Sequence, residues 1–291
     1  MQGVAVIGPG RIGGAIAVAL SAGGYSIDEV VYRSRQPPKS LLSEIKGTTT
    51  TIQFGKDLYV RSPLILITVQ DEELPRVVQG LQGKISDRST ILHTSGSISS
   101  EILKPFRKFD CKIASFHPLI SITNWNDGFS GFKNAYFCIE GDNAAVQTGK
   151  KLASALEARW FMISPEKKGL YHASAVMAAG HVTALFDMAI DLMMKTGVKR
   201  STARKLLQPL LGSVSTNLLR SDTPAALTGT YARGDEQTIQ RHLASMRKAA
   251  SKDELEVYLL LALRSIEIAE QNGLDPKKVR KMRRAIDMAK Q

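Results

Sequence analysis

Lys168 and His172 stand four residues apart, so on a helix they share one face. An ammonium and an imidazole placed together can donate a proton and steady a developing negative charge. Reduction of a C=O or C=N bond by hydride makes both demands. Either residue could serve. Lys168, beside Lys167, also reads as a solvated first-turn lysine, and His172 as a packed core histidine. A further candidate is His117, whose imidazole titrates near neutrality and which Pro118 holds in a stiffened loop. It reads equally as a substrate contact or proton donor and as a structural histidine bonded to backbone. His93, inside a strand end, and His181, deep in an apolar run, read as structural. The five histidines lack close ligand spacing, and neither Cys111 nor Cys138 pairs with them, so no metal site is expected.

These groups need a partner that supplies hydride, and the N-terminus carries a candidate cradle for one. The apolar run Val4–Ile7 reads as a buried strand leading into Gly8, Gly10 and Gly13, the GxGxxG spacing. An amphipathic pattern (Ile12, Ala15, Ile16, Ala19, Leu20) follows. Gly8 permits a tight turn, Gly10 lets backbone approach a pyrophosphate, and Gly13 lets helix pack on strand. Gly8, Pro9, Gly10, Arg11, Ile12 and Gly13 are therefore expected to bind a dinucleotide. Strand two, Ile27–Tyr32, ends where an acid would hold the ribose of NAD. Arg33, Ser34 and Arg35 stand there instead and suit a 2′-phosphate, so NADP is the expected cofactor. The two arginines also read as solvated surface residues.

Alternating strand and helix signals continue: strands at Leu64–Val69, Thr90–Thr94, Lys112–Phe116, Ala135–Ile139 and Arg159–Ile163, and helices at Glu72–Leu81, capped by Asp71, and Asn143–Leu156. This predicts an α/β fold of Rossmann type, a doubly wound sheet. Ligands in such sheets lie beyond the carboxyl ends of strands. That places Val69 and Gln70, and Ser95 and Gly96, at the cofactor, and His117 and Pro118 at the substrate.

At residue 164 the period changes. Pro165 opens a helix with no breaker except Gly169 and Gly180 before about Lys195. At about 1.5 Å per residue its roughly 30 residues would form a rod of about 45 Å, apolar on much of its circumference and expected to be buried. Helices follow at 199–219, 235–250, 252–272 and 275–290. The expected division is 1–163 for a cofactor domain and 164–291 for an all-α substrate and dimerisation domain. A loop at Ala226–Asp235 interrupts the helices. Thr228 and Arg233 are its substrate-binding candidates, Arg233 either binding an anionic substrate group or fixing the loop, and Asp235 is placed to cap the next helix.

The chain has 291 residues and a formal net charge of +12. Seven basic residues and one acid fall in 276–291, supplying half of that charge. Apolar residues recur there at helical spacing, so a solvated basic helix face is expected and nucleic acid is disfavoured as a partner. No stretch is expected to reach the roughly 18 apolar residues of a membrane span. Cys111 and Cys138 lie in predicted strands without CxxC spacing, which suits reduced thiols and a cytoplasmic location.

Taken together, Val-Ile-Gly-Pro-Gly-Arg-Ile-Gly, His-Thr-Ser-Gly, Phe-His-Pro-Leu, Lys168 with Tyr171-His172-Ala173, and Ala226-Leu227-Thr228-Gly229 with Arg233-Gly234-Asp235 cover most of the length. The chain resembles an uncharacterised bacterial family of Rossmann-like NADP oxidoreductases with a C-terminal helical domain of unknown function. More distantly it is similar to pyrroline-5-carboxylate reductase and the beta-hydroxyacid dehydrogenases. The latter use a lysine with an asparagine four residues on; Lys168 matches the lysine and His172 replaces the asparagine. The His117-Pro118 turn is similar to the turn lining the imine pocket of the pyrroline reductase. The Thr228–Asp235 loop stands where that enzyme has a glycine-rich substrate loop, with different residues. The resemblance implies a homodimer through the helical domain and hydride transfer to or from a small C=O or C=N substrate, with no membrane partner. A non-catalytic NADP-binding sensor or scaffold of the same fold is the alternative.

Overall fold

The apolar run Gly3–Ile7 forms the central strand β1, buried along its whole length. The computed structural model describes residues 3–55, 57–125 and 131–290. Helix α1 (Arg11–Ala22) follows, then β2 (Ser26–Tyr32), a short α2 (Lys39–Leu42), β3 (Thr50–Gln53), β4 (Leu64–Ile67), α3 (Leu74–Leu81) and β5 (Thr90–His93). A 3₁₀ segment (Ser100–Phe109) leads to β6 (Lys112–Leu119), β7 (Tyr136–Gly141), α4 (Asn143–Ala155) and β8 (Arg159–Met162). The eight strands form one sheet in the order β3-β2-β1-β4-β5-β6-β7-β8. All neighbours are parallel except β6 and β7. The chain reverses direction of progress between β1 and β4, and a crevice forms at the carboxyl ends there.

The sheet is covered on both faces. Val4 and Val6 pack with Ile16, Leu20 and Phe116 on one side. Ala5 and Ile7 pack with Leu74, Val78 and Phe106 on the other. Period-two alternation thus sends every side chain of β1 into a core, which is why the run has no polar residue.

Several expectations change. β3 was not foreseen, because Thr-Thr-Ile-Gln is an edge strand with little apolar signal. Asp71 does not cap α3, whose N-cap position is Glu73, with no side-chain capping bond. Asp71 instead accepts a hydrogen bond from Ser97 Oγ. Cys111 precedes β6 rather than lying in it, and Cys138 is in β7; both thiols are buried and free. β6 runs on through His117 and Pro118 to Leu119, so these two are strand residues and not a loop. Antiparallel pairing with β7 extends the strand, with His117 opposite Cys138 and Pro118 opposite Phe137.

The predicted rod is interrupted. A 3₁₀ turn (Pro165–Lys167) precedes α5 (Lys168–Ala178), and the backbone leaves helical geometry at Ala179, with φ −122° and ψ −73°. α6 begins afresh at Gly180 and ends at Met194. The stretch is also not buried within this chain: Leu170, Met177, Val182 and Leu185 are exposed, and so is His181, expected in the core. Pro165–Met194 is moreover long and apolar enough to cross a membrane by length and composition. The expectation of no such stretch is corrected. Small residues such as Ala and Gly raise its apolar character without forming a run of large side chains.

Two compact units result, Met1–Ala179 and Gly180–Gln291. α5 therefore groups with the sheet, beyond the change of period at residue 164. The second unit contains α6, α7 (Arg200–Arg220), α8 (Thr223–Ala226), α9 (Gly229–Arg233), α10 (Glu236–Ala249), α11 (Lys252–Gln271) and α12 (Pro276–Ala289). Its core joins Ile239, Leu243, Leu259, Ile266, Met282 and Ile286. Asp235 caps α10 by accepting from the Thr238 backbone N–H at 3.0 Å. The capping box of Ser251 and Glu254 starts α11. The predicted loop at 226–235 contains the five-residue helix α9.

Candidate active site

The turn after β1 is held by backbone and by one threonine. Gly8 has φ +89°, a left-handed conformation that favours glycine. Thr68, just past β4, donates from Oγ1 to the Gly8 carbonyl at 2.7 Å and the Ile7 carbonyl at 3.1 Å. Gly13 packs directly against it: a Cβ there would lie 2.2 Å from Thr68 Oγ1. A Cβ on Gly10 would meet only the Gly8 carbonyl, at 4.0 Å. The space in front of Gly10 is therefore open.

α1 starts beside that space with no side-chain cap and no acid in its first turn. Its leading N–H groups have no intrahelical acceptor, and the helix dipole makes this end positive. A cleft of about 380 Å³ runs from Gly8, Pro9 and Gly10 along Arg33 and Ser34 to Phe54. Val69, Gln70, Glu73 and Arg76 line it as well. Open glycine backbone, an uncapped helix end and a basic rim together fit a dinucleotide: the turn could take a pyrophosphate and the rim an adenosine end.

Of the predicted cradle residues, Gly8, Pro9, Gly10, Arg33, Ser34, Val69 and Gln70 line the cleft. Arg11, Ile12, Gly13 and Arg35 are not among its lining residues. Arg33 Nη1 lies 2.7 Å from Glu73 Oε2, and Ser34 Oγ donates to the Gln36 carbonyl at 2.6 Å. Sequence reasoning missed Arg76, which reaches the cleft from α3. The available signal was an arginine in the first turns of the helix following a crevice strand.

A second group gathers at the ends of β5 and β6. Lys168, the first residue of α5, is 1% exposed. Its Nζ donates to the Ser95 carbonyl at 2.9 Å and to Ser115 Oγ at 2.7 Å. The solvated-lysine alternative does not hold. No carboxylate is within bonding range of this ammonium among the described residues; Glu140 is engaged by the N–H and hydroxyl of Ser100, each at 2.7 Å. Burial pushes the Lys168 pKa down.

His117 stands beside it. Its Nδ1 is 2.7 Å from the Tyr171 hydroxyl, and its ring meets His172 edge-on at 5.9 Å. Burial, with the charges of Lys168 and His172, lowers the His117 pKa to about 3. The imidazole is therefore neutral at pH 7. Burial beside Cys138 pushes the Tyr171 hydroxyl up, so it stays protonated. As donor to Nδ1 it would leave the ring proton on Nε2, and as acceptor it would leave that proton on Nδ1. Nε2 faces Gly96: a Cβ there would lie 2.7 Å from Nε2 and 2.3 Å from His172 Cδ2. Pro118 is buried next door.

His93 is a structural neighbour. Its Nδ1 accepts from the Ser95 N–H at 3.2 Å, and its buried Nε2 has no hydrogen-bond partner among the described residues. Burial and the Lys168 charge lower its pKa to about 3. The structure thus brings together Lys168, His172, His117, Ser95 and Gly96, and adds Tyr171, which lay in a quoted motif but had no assigned role. Thr228 and Arg233 belong to the second unit, at the N-cap and last residue of α9. The Arg233 carbonyl accepts from Lys278 Nζ at 3.0 Å.

Residues 2–118 match the family model of a Rossmann-like domain. Residues 135–265 match that of a domain of unknown function, DUF2520. The chain carries the two in that order. No curated protein matches it. Among solved structures it is similar to a Thermotoga maritima protein, with 24% identity, TM-score 0.70, and coverage of 92% of this chain and 98% of that one. It is also similar to a Bacteroides fragilis protein provisionally assigned as an NADP oxidoreductase, with 20% identity, TM-score 0.68 and the same coverage. A Plasmodium falciparum pyrroline carboxylate reductase solved with NADP bound has 14% identity and TM-score 0.55, covering 99% of this chain and 97% of that one. At these identities the likeness is one of fold.

Proposed function

We propose that this chain is an NADP-dependent oxidoreductase acting on a small C=O or C=N substrate. The observation that carries the reading is the continuous cleft from the open Gly8–Gly10 turn to Arg33. The NADP bound by the Plasmodium falciparum enzyme of the same fold supports it. Gly8, Pro9 and Gly10 would hold the pyrophosphate with the first N–H groups of α1, and Arg33 the 2′-phosphate. The bound cofactor would supply or accept the hydride.

The chain's own residues then have distinct tasks. With the Tyr171 hydroxyl donating to its Nδ1, neutral His117 would present Nε2–H as a hydrogen-bond donor for the oxygen or nitrogen on which charge develops. Tyr171 fixes its tautomer from the far side. His172 stands over Gly96 next to His117 and is the group available to pass a proton. Lys168 is a positioning residue: it ties α5 to the loop after β5 and to β6, and its charge adds to the burial that keeps His117 unprotonated.

Arg33→Asp tests the assignment. Titration calorimetry should show NADPH binding weakened at least about tenfold more than NADH binding, as loss of a charge-assisted phosphate contact requires. Oxidation of NADPH with a panel of keto and cyclic imino acids should then reveal turnover. No heat with either nucleotide would overturn the reading. Binding without turnover would favour the sensor alternative, for which the engagement of Lys168 by two neutral partners speaks.

The second unit is proposed to bind a second copy of the chain. Leu206, Leu210, Val214 and Leu218 recur every fourth residue of α7, and all are exposed. Such an apolar ridge is unusual on a monomer, and closed twofold pairing of one patch with itself is the commonest way to cover it. Leu210→Glu should convert a dimer to a monomer in sedimentation; a monomeric wild-type protein would refute the pairing.

A further inference from the structure

Glu73 is the acid in the cleft, and two arginines converge on it. Arg33, following β2, approaches Oε2 at 2.7 Å, and Arg76, on α3, approaches the same oxygen at 3.7 Å. Each guanidinium has five donors in a planar fork, so one carboxylate oxygen leaves most of that capacity unused. A phosphate monoester offers three acceptor oxygens and about −1.5 to −2 charge at neutral pH, against the single charge of a carboxylate. It is the better partner for two forks.

The bracket is held in place from behind. Phe54, just after β3, packs on α3 at Gly80, where a Cβ would lie 2.7 Å from the ring. Gly80 is four residues from Arg76, on the same face of the helix. Phe54, Arg33, Glu73 and Arg76 all line the one cleft. Both arginine side chains are largely exposed, so their pairing with Glu73 is weak and readily exchanged.

We infer that Glu73 is an internal counter-ion standing in for the 2′-phosphate, and that Arg76 is the second arm of the phosphate fork. This rests on the reading of the cleft as an NADP site. The incoming phosphate takes both arginines from Glu73. Without a 2′-phosphate, Glu73 keeps them. Glu73 therefore sets how strongly the site prefers the phosphorylated nucleotide.

The test uses 2′,5′-ADP and 5′-AMP, which differ only in the 2′-phosphate, titrated calorimetrically into the full chain. Wild type should bind 2′,5′-ADP the more tightly. Glu73→Gln should tighten 2′,5′-ADP by about threefold or more and leave 5′-AMP within about twofold, the modest size expected for an exposed pair. Arg76→Ala should weaken 2′,5′-ADP about tenfold and leave 5′-AMP unchanged. Circular dichroism checks that both variants fold. If wild type discriminates but neither variant alters discrimination, the inference falls and the NADP reading stands. If wild type does not discriminate, both fall.

Discussion

Tyr171 and His117 are joined by a 2.7 Å hydrogen bond that links α5 to β6. The phenol stays protonated and the imidazole stays neutral, and the role proposed for His117 requires the polarity hydroxyl to Nδ1. Tyr171→Phe removes the donor and frees His117 to exchange tautomers. The net loss of one such bond is about 1 kcal/mol, which corresponds to roughly five- to tenfold in kcat. KM should change less than twofold. Nitrogen NMR should show His117 as a single tautomer in wild type and as a mixture in the variant. A single tautomer in both would remove Tyr171 from this role.

Lys168 acts on the same ring through space. Burial of the ring is the larger cause of the low His117 pKa, and the buried Lys168 ammonium lowers it further. Lys168→Met removes only the second cause and should raise the His117 pKa part of the way from about 3. Proton NMR of the ring from pH 4 to 8 reads this directly: a flat wild-type signal, and a variant signal that moves at the acid end. Lys168→Arg keeps the charge and should keep the signal flat. If Lys168→Met leaves it flat too, desolvation alone holds the histidine neutral.

Gly10 and Gly13 separate binding from folding. Gly13→Ala places a methyl 2.2 Å from Thr68 Oγ1 and 2.4 Å from the Gly8 carbonyl. Overpacking of this kind costs about 1–3 kcal/mol, so the melting temperature should fall by several degrees. Gly10→Ala meets nothing nearer than 4.0 Å and should fold normally. It fills the space the pyrophosphate needs, and NADPH affinity should drop at least about tenfold. Equal melting temperatures for the two variants would contradict the packing argument.

Much of this was legible in the residues. The glycine spacing, the apolar run before it and Arg33 after β2 gave the cleft, because backbone turns and strand periodicity are local properties. Four-residue spacing put Lys168 and His172 on α5 for the same reason. What the residues hid was tertiary. Lys168 looked solvated because nothing local reveals that Ser95 and Ser115 lie over its ammonium. His117 looked like a loop residue because the partner that extends its strand, β7, is 20 residues away. Arg76 was invisible because its partner Glu73 matters only once Arg33 arrives from another strand. The apolar stretch at 165–194 looked buried because periodicity shows that a face is apolar without showing what covers it.

The two neutral histidines also couple folding to acid. His93 is fully buried, with a folded pKa of about 3 against 6.5 when unfolded, and His117 is lowered to about the same value. Above pH 6.5 both states are neutral and neither histidine affects stability. Below 6.5 the unfolded chain takes up protons that the folded chain refuses. Stability is then lost progressively as pH falls towards 3, at up to about 1.4 kcal/mol per pH unit for each group. Urea unfolding at pH 7, 6 and 5 should show the midpoint falling on the acid side. His93→Gln can still accept the Ser95 N–H but cannot protonate, so its midpoint should fall less steeply. Parallel curves for wild type and His93→Gln would mean that the acid sensitivity arises elsewhere.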